Sequence, residues 1–256
     1  MIAVVHCEAK TSIQRRAFVV GGFAAAVGCS VPPVAHAATA FVLPTAAANR
    51  RFSILYKGNR IGTHAVSYSS ATGEMLVKTE IHLEAKLALF PAYAFSHRSE
   101  EAWRAGRLMS LNSETVEQGE RLRVDGVATP RGFRVLSKSG PFIASATTLT
   151  SNDLWTPAML EQAKLVDAQR GGIIGVNARK VADEPLVIAG GRVQATRDKF
   201  ITPYYAGSIW YDQANLWCMA SSSVTVQRSS ISLTRRKLAH QRERGMVSHL
   251  YCAYNS

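Results

Sequence analysis

Residues 75–89 alternate between two kinds of side chain with a period of two, and this pattern restricts the possible folds more than any other segment. One row is mostly apolar and the other is charged or polar: Val77, Thr79, Ile81, Leu83, Ala85 and Leu87 against Lys78, Glu80, His82, Glu84 and Lys86. Successive side chains of a β-strand point to opposite faces of its sheet. The segment therefore predicts a long strand with one buried face, and it places His82 in the solvated row.

Similar but shorter runs surround this strand. Residues 51–69 give two alternating runs joined at Lys57-Gly58-Asn59, which is typical of a β-hairpin. Residues 93–145 continue the alternation, and strands resume after residue 172 around a turn at Ala189-Gly190-Gly191. Because short turns join antiparallel neighbours, these runs predict a meander of strands.

The alternation stops near residues 151–172, where the pattern favours a helix. Thr156 can cap a helix, Pro157 suits its first turn, and residues 158–163 would form its body. The sequence thus predicts a mainly β fold, a curved or half-closed antiparallel sheet with one short helical insert near residues 156–163. Apolar side chains of the insert could plug one opening of the sheet.

The first 37 residues have the three parts of an export signal. Arg15 and Arg16 form a charged pair, a short apolar stretch begins at Phe18, and Ala35 and Ala37 are small residues suited to a cleavage site. The arrangement resembles the twin-arginine signal, which a bacterial translocase recognises on folded cargo. We therefore expect the twin-arginine translocase as a partner, a spacer at residues 38–50, and periplasmic or secreted localisation after cleavage near Ala37.

Two other interpretations of this segment stay open. An ordinary secretory signal can also contain two arginines. Cys29 could instead accept a lipid, although Ala26 is a poor first residue for a lipidation motif. In each case the apolar stretch is too short for a stable membrane span.

The formal charge of +12 lies mostly at the two ends of the chain. Residues 1–37 carry a net charge of +2 and residues 218–256 carry +5, which leaves +5 for residues 38–217. A nucleic-acid-binding domain would collect its basic residues on one face and interleave them with aromatic residues. The middle region lacks that pattern, so we expect no nucleic-acid partner.

Four sequence segments of the middle region together resemble a family of exported bacterial proteins known only as domain-of-unknown-function family 6134. They are RFSILYKGNRIGTH, FSHRSEEAWRAGRL, LTSNDLWTPAMLEQ and GSIWYDQANLW, and the resemblance covers about residues 51–217. It implies an exported, mostly β domain and supplies no activity. A looser likeness extends to the curved sheets of periplasmic lipoprotein carriers, which cradle apolar ligands, although a shared fold does not transfer function.

Residues 218–256 depart from the pattern that the family resemblance implies after Trp217. Serine triplets and scattered arginines replace the alternation, whereas the neighbouring reading frame allows codons for an alternating hairpin with an Asp-Gly turn. We therefore predict that a domain at residues 51–217 is followed by a frameshifted, disordered tail. The alternatives are a basic helix at residues 234–244 for membranes or nucleic acid, and, in an oxidising compartment, a disulfide between Cys218 and Cys252.

Familiar signatures of catalysis, phosphate binding and zinc binding do not occur in the sequence, so we expect no cofactor and no metal. His97 with Glu101 could perform acid–base chemistry in a cleft, and Asp212 is the remaining candidate. On one strand, His97 and Glu101 would lie about 13 Å apart at ~3.3 Å per residue, too far for direct contact. A structural role for His97 and a turn at Asp212 are therefore the simpler interpretations.

Large apolar side chains could line a cavity in the curved sheet: Phe90, Tyr93, Phe95, Trp103, Trp155, Met159 and Trp210. A packed core is the plainer alternative for the same residues. The leading hypothesis is a non-enzymatic envelope protein that binds an apolar small molecule or lipid, since such binding scales with buried apolar area. The other two hypotheses are an enzyme of unrecognised type and a module that binds a partner through a sheet edge.

Overall fold

The computed structural model describes residues 49–71, 73–85, 93–188, 190–224 and 249–254. The predicted export signal, Phe90, residues 225–248 of the predicted tail and nearly all of the predicted spacer lie outside the described residues. The described chain is mainly antiparallel β, which confirms the predicted fold class. Within these ranges, no helix is long and apolar enough to cross a membrane.

Eight strands follow one another up to residue 144: β1 Arg50–Tyr56, β2 Asn59–Ala71, β3 Glu74–Ala85, β4 Tyr93–Arg104, β5 Arg107–Glu117, β6 Glu120–Thr129, β7 Gly132–Ser137 and β8 Gly140–Ala144. Seven more follow in the second half: β9 Lys164–Val166, β10 Ile173–Gly175, β11 Asn177–Ile188, β12 Gly191–Ile201, β13 Tyr205–Asp212, β14 Trp217–Val224 and β15 His249–Tyr254. Two 3-10 turns, Asp153–Trp155 and Pro157–Glu161, lie between β8 and β9.

One antiparallel sheet contains thirteen of these strands. Its order is β11-β12-β13-β14-β15-β1-β2-β3-β4-β5-β6-β7-β8, so β1 to β8 form a meander, as predicted. β15 lies between β1 and β14 and joins the two halves of the chain, with Cys252 opposite both Ile54 and Ala220. Among the described residues the sheet is not closed, and β8 and β11 are its edges. β9 and β10 form a separate pair, and Val166 of β9 also bridges to Thr150.

Strand β3 shows the predicted alternation. Its inner row from Val77 to Ala85 is buried, and its outer row from Lys78 to Glu84 is exposed, with His82 in the exposed row. On the outer face, a cross-strand ion pair joins Lys78 to Glu100 at 2.8 Å. Because exposed pairs of this kind contribute only about 0–1 kcal/mol, burial of the inner row sets the register of the strand.

The inner face of the sheet is covered by the segment between β8 and β11, residues 145–176, which we name the insert. Leu154, Trp155 and Met159 of the insert belong to the same buried cluster as Phe52 of β1 and Ile209 of β13. The insert therefore fills the space between the two halves of the sheet.

The predicted helix of the insert is two short 3-10 turns. Thr156 separates them because its backbone is extended, with φ −126° and ψ 133°. Its side chain accepts a hydrogen bond from the N–H of Ala158 at 3.3 Å, and Pro157 begins the second turn, so the predicted cap is present. An extended residue cannot continue a helix, which keeps each turn short.

The sheet continues past Trp217, where the sequence places the end of the domain. β14 pairs with β13 and β15, and Ala220 is fully buried in the core. Strand pairing uses main-chain groups, so a run of serines can join a sheet without an alternating pattern. The frameshifted origin of the tail stays a prediction.

Candidate functional site

Strand β4 directs polar side chains toward the core. His97, Ser99 and Glu101 lie between Phe95 and Trp103 on the inner face, and all five side chains are buried. Burial of a polar group is costly unless it finds a hydrogen-bond partner. The insert supplies most of the hydrogen-bond partners of these polar side chains. The contact between β4 and the insert is therefore the candidate site in the core.

The imidazole of His97 is held from both sides. Its Nδ1 lies 2.8 Å from Oγ1 of Thr115 on β5, and its Nε2 lies 2.9 Å from Nδ2 of Asn152 in the insert. An amide N–H only donates, so Nε2 accepts and Nδ1 carries the proton that is donated to Thr115. Burial lowers the pKa of His97 to about 3, which keeps the ring neutral.

Glu101 contacts Asp153, a buried carboxyl group of the insert. Glu101 is 1% exposed and Asp153 is 0% exposed, and their side chains are hydrogen-bonded to each other. Glu101 accepts from the hydroxyl of Thr150 at 2.7 Å and from the indole N–H of Trp103 at 3.2 Å. Asp153 accepts from the backbone N–H of Thr150 at 2.6 Å and from the indole N–H of Trp155 at 2.9 Å.

Burial and mutual proximity favour a proton on the pair formed by Glu101 and Asp153. Two carboxylates offer only acceptors, so a hydrogen bond between them requires that one is protonated. Burial raises the pKa of Glu101, and burial together with the neighbouring Glu101 raises the pKa of Asp153 well above its usual range. Both raised pKa values favour a proton shared between the two groups, which is a contact between the insert and β4.

The side chains of His97 and Glu101 are almost fully buried, at 2% and 1% exposure. A groove of about 660 Å³ runs over the outer face of β1–β5, between Arg51, His82 and Glu114. His97 borders it from within the sheet, but its side chain is on the inner face and both ring nitrogens are engaged. A general acid or base must reach its substrate directly or through one water. The geometry therefore favours structural roles for His97 and Glu101.

The predicted apolar ligand residues on the inner face pack against each other. The rings of Trp103 and Trp155 meet edge to face at 5.5 Å, and Tyr68 meets Trp155 at 5.9 Å. Phe95 and Met159 are buried in the same cluster. None of the described pockets is lined by these five side chains.

Two other predicted ligand residues lie apart from this group. Tyr93 is at the end of β4, where its hydroxyl donates to Glu117 at 2.9 Å. Trp210 is on the outer face, where it packs in a second cluster with Leu186 and donates to Glu184 at 2.7 Å. The fold therefore separates both residues from Trp155.

Asp212 and Cys218 have local roles. Oδ1 of Asp212 accepts from the N–H groups of Ala214 and Leu216, at 2.9 Å each, and so stabilises the turn between β13 and β14. Cys218 is buried and free, and its thiol donates to the carbonyl of Trp210 at 3.2 Å. Burial raises the pKa of this thiol to about 12, so it is not a reactive thiolate.

His64 is a buried residue that the sequence analysis did not single out. It is 1% exposed, and neither ring nitrogen has a hydrogen-bond partner among the described residues. Burial lowers its pKa to about 3. The sequence could have indicated this burial, because His64 is two and four positions before Val66 and Tyr68 and so lies in the buried row of β2.

Three polar residues of the site, Thr150, Asn152 and Asp153, were also missed. They lie in the short polar run before Leu154, which looks like a surface loop in the sequence. Their partners are on β4, about 50 positions away, and no local pattern encodes that contact.

In the described part of the chain, no group of three or more His, Cys, Asp or Glu side chains could hold a metal ion.

Comparisons with known proteins show the family and agree with the described fold. The family described as domain of unknown function (DUF6134) matches residues 52–236. The crystal structure of a beta-barrel-like protein of domain of unknown function DUF1849 from Brucella abortus superposes with a TM-score of 0.52 at 7% identity. The match covers 81% of this chain and 95% of that one, and at such low identity it shows the fold alone. No curated protein matches the chain.

Proposed function

The chain belongs to the family of domain of unknown function DUF6134, and we propose that it is an exported, non-enzymatic envelope protein that binds a partner protein at the β8 end of its open sheet. Export is supported by the predicted signal with Arg15 and Arg16 and by the predicted cleavage site near Ala37. A non-enzymatic role is supported by the burial of His97 and Glu101 and by their hydrogen bonds to Asn152 and Thr150 among the described residues.

An apolar ligand inside the curved sheet has less support. It would have to displace Trp155 and Met159, which are 3% exposed and occupy the inner space themselves. Burial of each such side chain contributes about 1.5–3 kcal/mol, which the ligand would have to replace. The filled inner face leaves the outer surface as the place for binding.

Exposed apolar side chains on the outer face of β6, β7 and β8 carry the proposal. Val127, Leu136 and Ile143 are 41%, 56% and 47% exposed, and Pro141 lies opposite Leu136. We name these four residues the outer apolar patch. Clusters of exposed apolar side chains mark interaction sites on folded proteins, and this one adjoins an open edge of the sheet.

Charge on the patch indicates the chemistry of the partner. Arg134 lies between Val127 and Ile143 across the three strands and makes no ion pair with a described residue. Asp125 lines the same shallow depression of about 210 Å³, and its carboxylate accepts from Asn112 at 2.6 Å. The patch therefore fits a protein segment that presents apolar side chains beside a carboxylate.

Side chains, more than the strand edge, should make the contact. Pro141 cannot donate a main-chain hydrogen bond, and proline on an edge strand opposes the addition of a further strand. β8 has only five residues. An extended partner would therefore gain few main-chain hydrogen bonds and would depend on Leu136, Ile143 and Arg134.

Site-specific photo-crosslinking tests the proposal. A photoreactive amino acid at Leu136 should give one crosslinked partner in the native envelope, and mass spectrometry should map the crosslink to an apolar segment that contains Asp or Glu. The matched control is the same probe at Val187, which is 59% exposed on the opposite edge strand. A synthetic peptide of the mapped segment should bind the purified chain, and Arg134→Glu should weaken that binding about tenfold or more.

Equal crosslinking from Leu136 and Val187 would refute the proposal, since it would show that contact is not specific to the patch. A mapped segment without a carboxylate, or a peptide whose affinity is unchanged by Arg134→Glu, would refute the assignment of Arg134.

A further inference from the structure

A second outer surface, on β11 to β14, carries a row of cations and hydroxyl groups. Arg179 lies opposite Lys199, Lys199 lies opposite Ser208, and Ser208 lies opposite Ser221, so four adjacent strands each contribute one residue to the row. All four line a groove of about 510 Å³. The groove adjoins the β11 edge, at the other end of the sheet from the outer apolar patch.

The two cations of this row face each other without a neutralising partner among the described residues. Like charges directly opposite on neighbouring strands are destabilising. Two carboxylates of the same hairpin are engaged elsewhere: Asp183 pairs with Lys180 at 2.9 Å, and Glu184 pairs with Arg197 at 3.5 Å. The third, Asp198, adjoins Lys199 in the chain, so its side chain points to the other face of the sheet, and it does not line the groove. Arg179 and Lys199 therefore repel each other in the free protein, and an anion bound between them would remove this repulsion.

We propose that the row Arg179–Lys199–Ser208–Ser221 binds an anionic phosphoryl group. The guanidinium and the ammonium supply charge-assisted donors, and the two hydroxyl groups can donate to further phosphoryl oxygens. Ser208 is 9% exposed and makes no hydrogen bond through its hydroxyl to a described residue, so this donor is available at the base of the groove.

The rim of the groove indicates two sources for the phosphoryl group. Ile201 is 60% exposed and lies opposite both Asn177 and Ala206 at the end of the row. An apolar side chain beside a cationic row suits the head group of an anionic lipid, whereas free phosphate would use the row alone. Both ligands share the phosphoryl chemistry, and two separate measurements distinguish them.

The first measurement is a titration of the purified full chain with inorganic phosphate by calorimetry. The second is flotation of the chain with phosphatidylglycerol vesicles at low salt and at physiological salt. Lys199→Gln and Arg179→Gln should each weaken binding about fivefold or more, and Ser208→Ala should weaken it to a smaller extent. Arg192→Gln is the matched control, because it removes one positive charge from the same strand as Lys199 but outside the groove.

The control is needed because the chain carries a net charge of +12 and would attract any anionic surface. Binding of phosphate that is lost in Lys199→Gln and kept in Arg192→Gln supports the site with a free anion as ligand. Binding of vesicles alone with the same selectivity supports a lipid head group. Loss of binding that is equal in all the Gln variants, or no binding of either probe to the wild-type chain, overturns the proposal, and equal thermal unfolding of the variants verifies that each one is folded.

Discussion

Replacement of His64 by Leu should stabilise the protein, and the gain should grow as the pH falls. The imidazole is 1% exposed and packs against Trp217, with ring centroids 4.9 Å apart. Both ring nitrogens lack a partner among the described residues, and an unpaired buried polar group costs about 1–3 kcal/mol. Leucine has a similar volume and no polar atom, so it removes this cost at every pH.

Acid adds a second cost that can be worked out from the pKa. Burial lowers the pKa of His64 from 6.5 to about 3. The unfolded chain therefore binds a proton below about pH 6.5, whereas the folded protein does not until about pH 3, so stability is fully present above pH 6.5 and is lost as the pH falls. At pH 5 the loss is about 2 kcal/mol, from 1.5 pH units at ~1.36 kcal/mol each.

Urea unfolding at pH 7.5 and pH 5, followed by circular dichroism, measures both costs. The gain in unfolding free energy for His64→Leu should be about 2 kcal/mol larger at pH 5 than at pH 7.5. His82→Leu is the matched control, since His82 lies on the neighbouring strand and its side chain is exposed. The control should give no comparable gain.

Two results would refute the reasoning. A gain for His64→Leu that is the same at both pH values would show that burial does not keep the imidazole neutral. A loss of stability at pH 7.5 would show that the ring nitrogens are satisfied in the folded protein.

Three further changes test the attachment of the insert. Glu101→Gln should reduce the loss of stability as the pH rises above the ordinary carboxyl range, because the raised pKa values of Glu101 and Asp153 give a stabilisation that is present at low pH and lost as the pH rises through them; an unchanged pH slope of the free energy of unfolding in urea would contradict it. Tyr211→Phe should cost about 1–3 kcal/mol in urea unfolding, because the lost hydroxyl donates to the Leu154 carbonyl at 2.9 Å; an equal cost for Tyr204→Phe, which is 37% exposed, would argue against this role. Met159→Ala should lower the unfolding free energy by about 2–5 kcal/mol through the cavity left in the core, and a negligible change in urea unfolding would show that the insert is not packed there.

The strands could be predicted because their signal is local. On β3, residues two positions apart share a face, so the row from Val77 to Ala85 reveals burial without knowledge of the partner strands. The same holds for the turn at Lys57-Gly58, where Lys57 and Gly58 both have positive φ. The cap of the insert at Thr156 is likewise encoded by its immediate neighbours.

The candidate site could not be predicted in the same way. His97 and Glu101 drew attention as residue types, but their partners Asn152 and Thr150 lie 55 and 49 positions away. The alternation of β4 indicates only that His97 faces inward, and it does not indicate whether a ligand, water or the chain itself covers it. Asp153 was invisible for the same reason, because a carboxyl group in a polar run looks solvated until the fold buries it.

The sequence by itself determined that the chain forms two-faced antiparallel strands, because that property depends on neighbours two positions apart. Only the tertiary structure decided that β15 joins the two halves of the sheet and that the insert fills its inner face. Both outcomes depend on contacts between segments that are far apart in the chain. The stability of such contacts comes from close packing and from hydrogen bonds that form only in the complete fold. The inner face of β4 is therefore covered by the protein's own insert, and both binding surfaces that we propose are on the outer face.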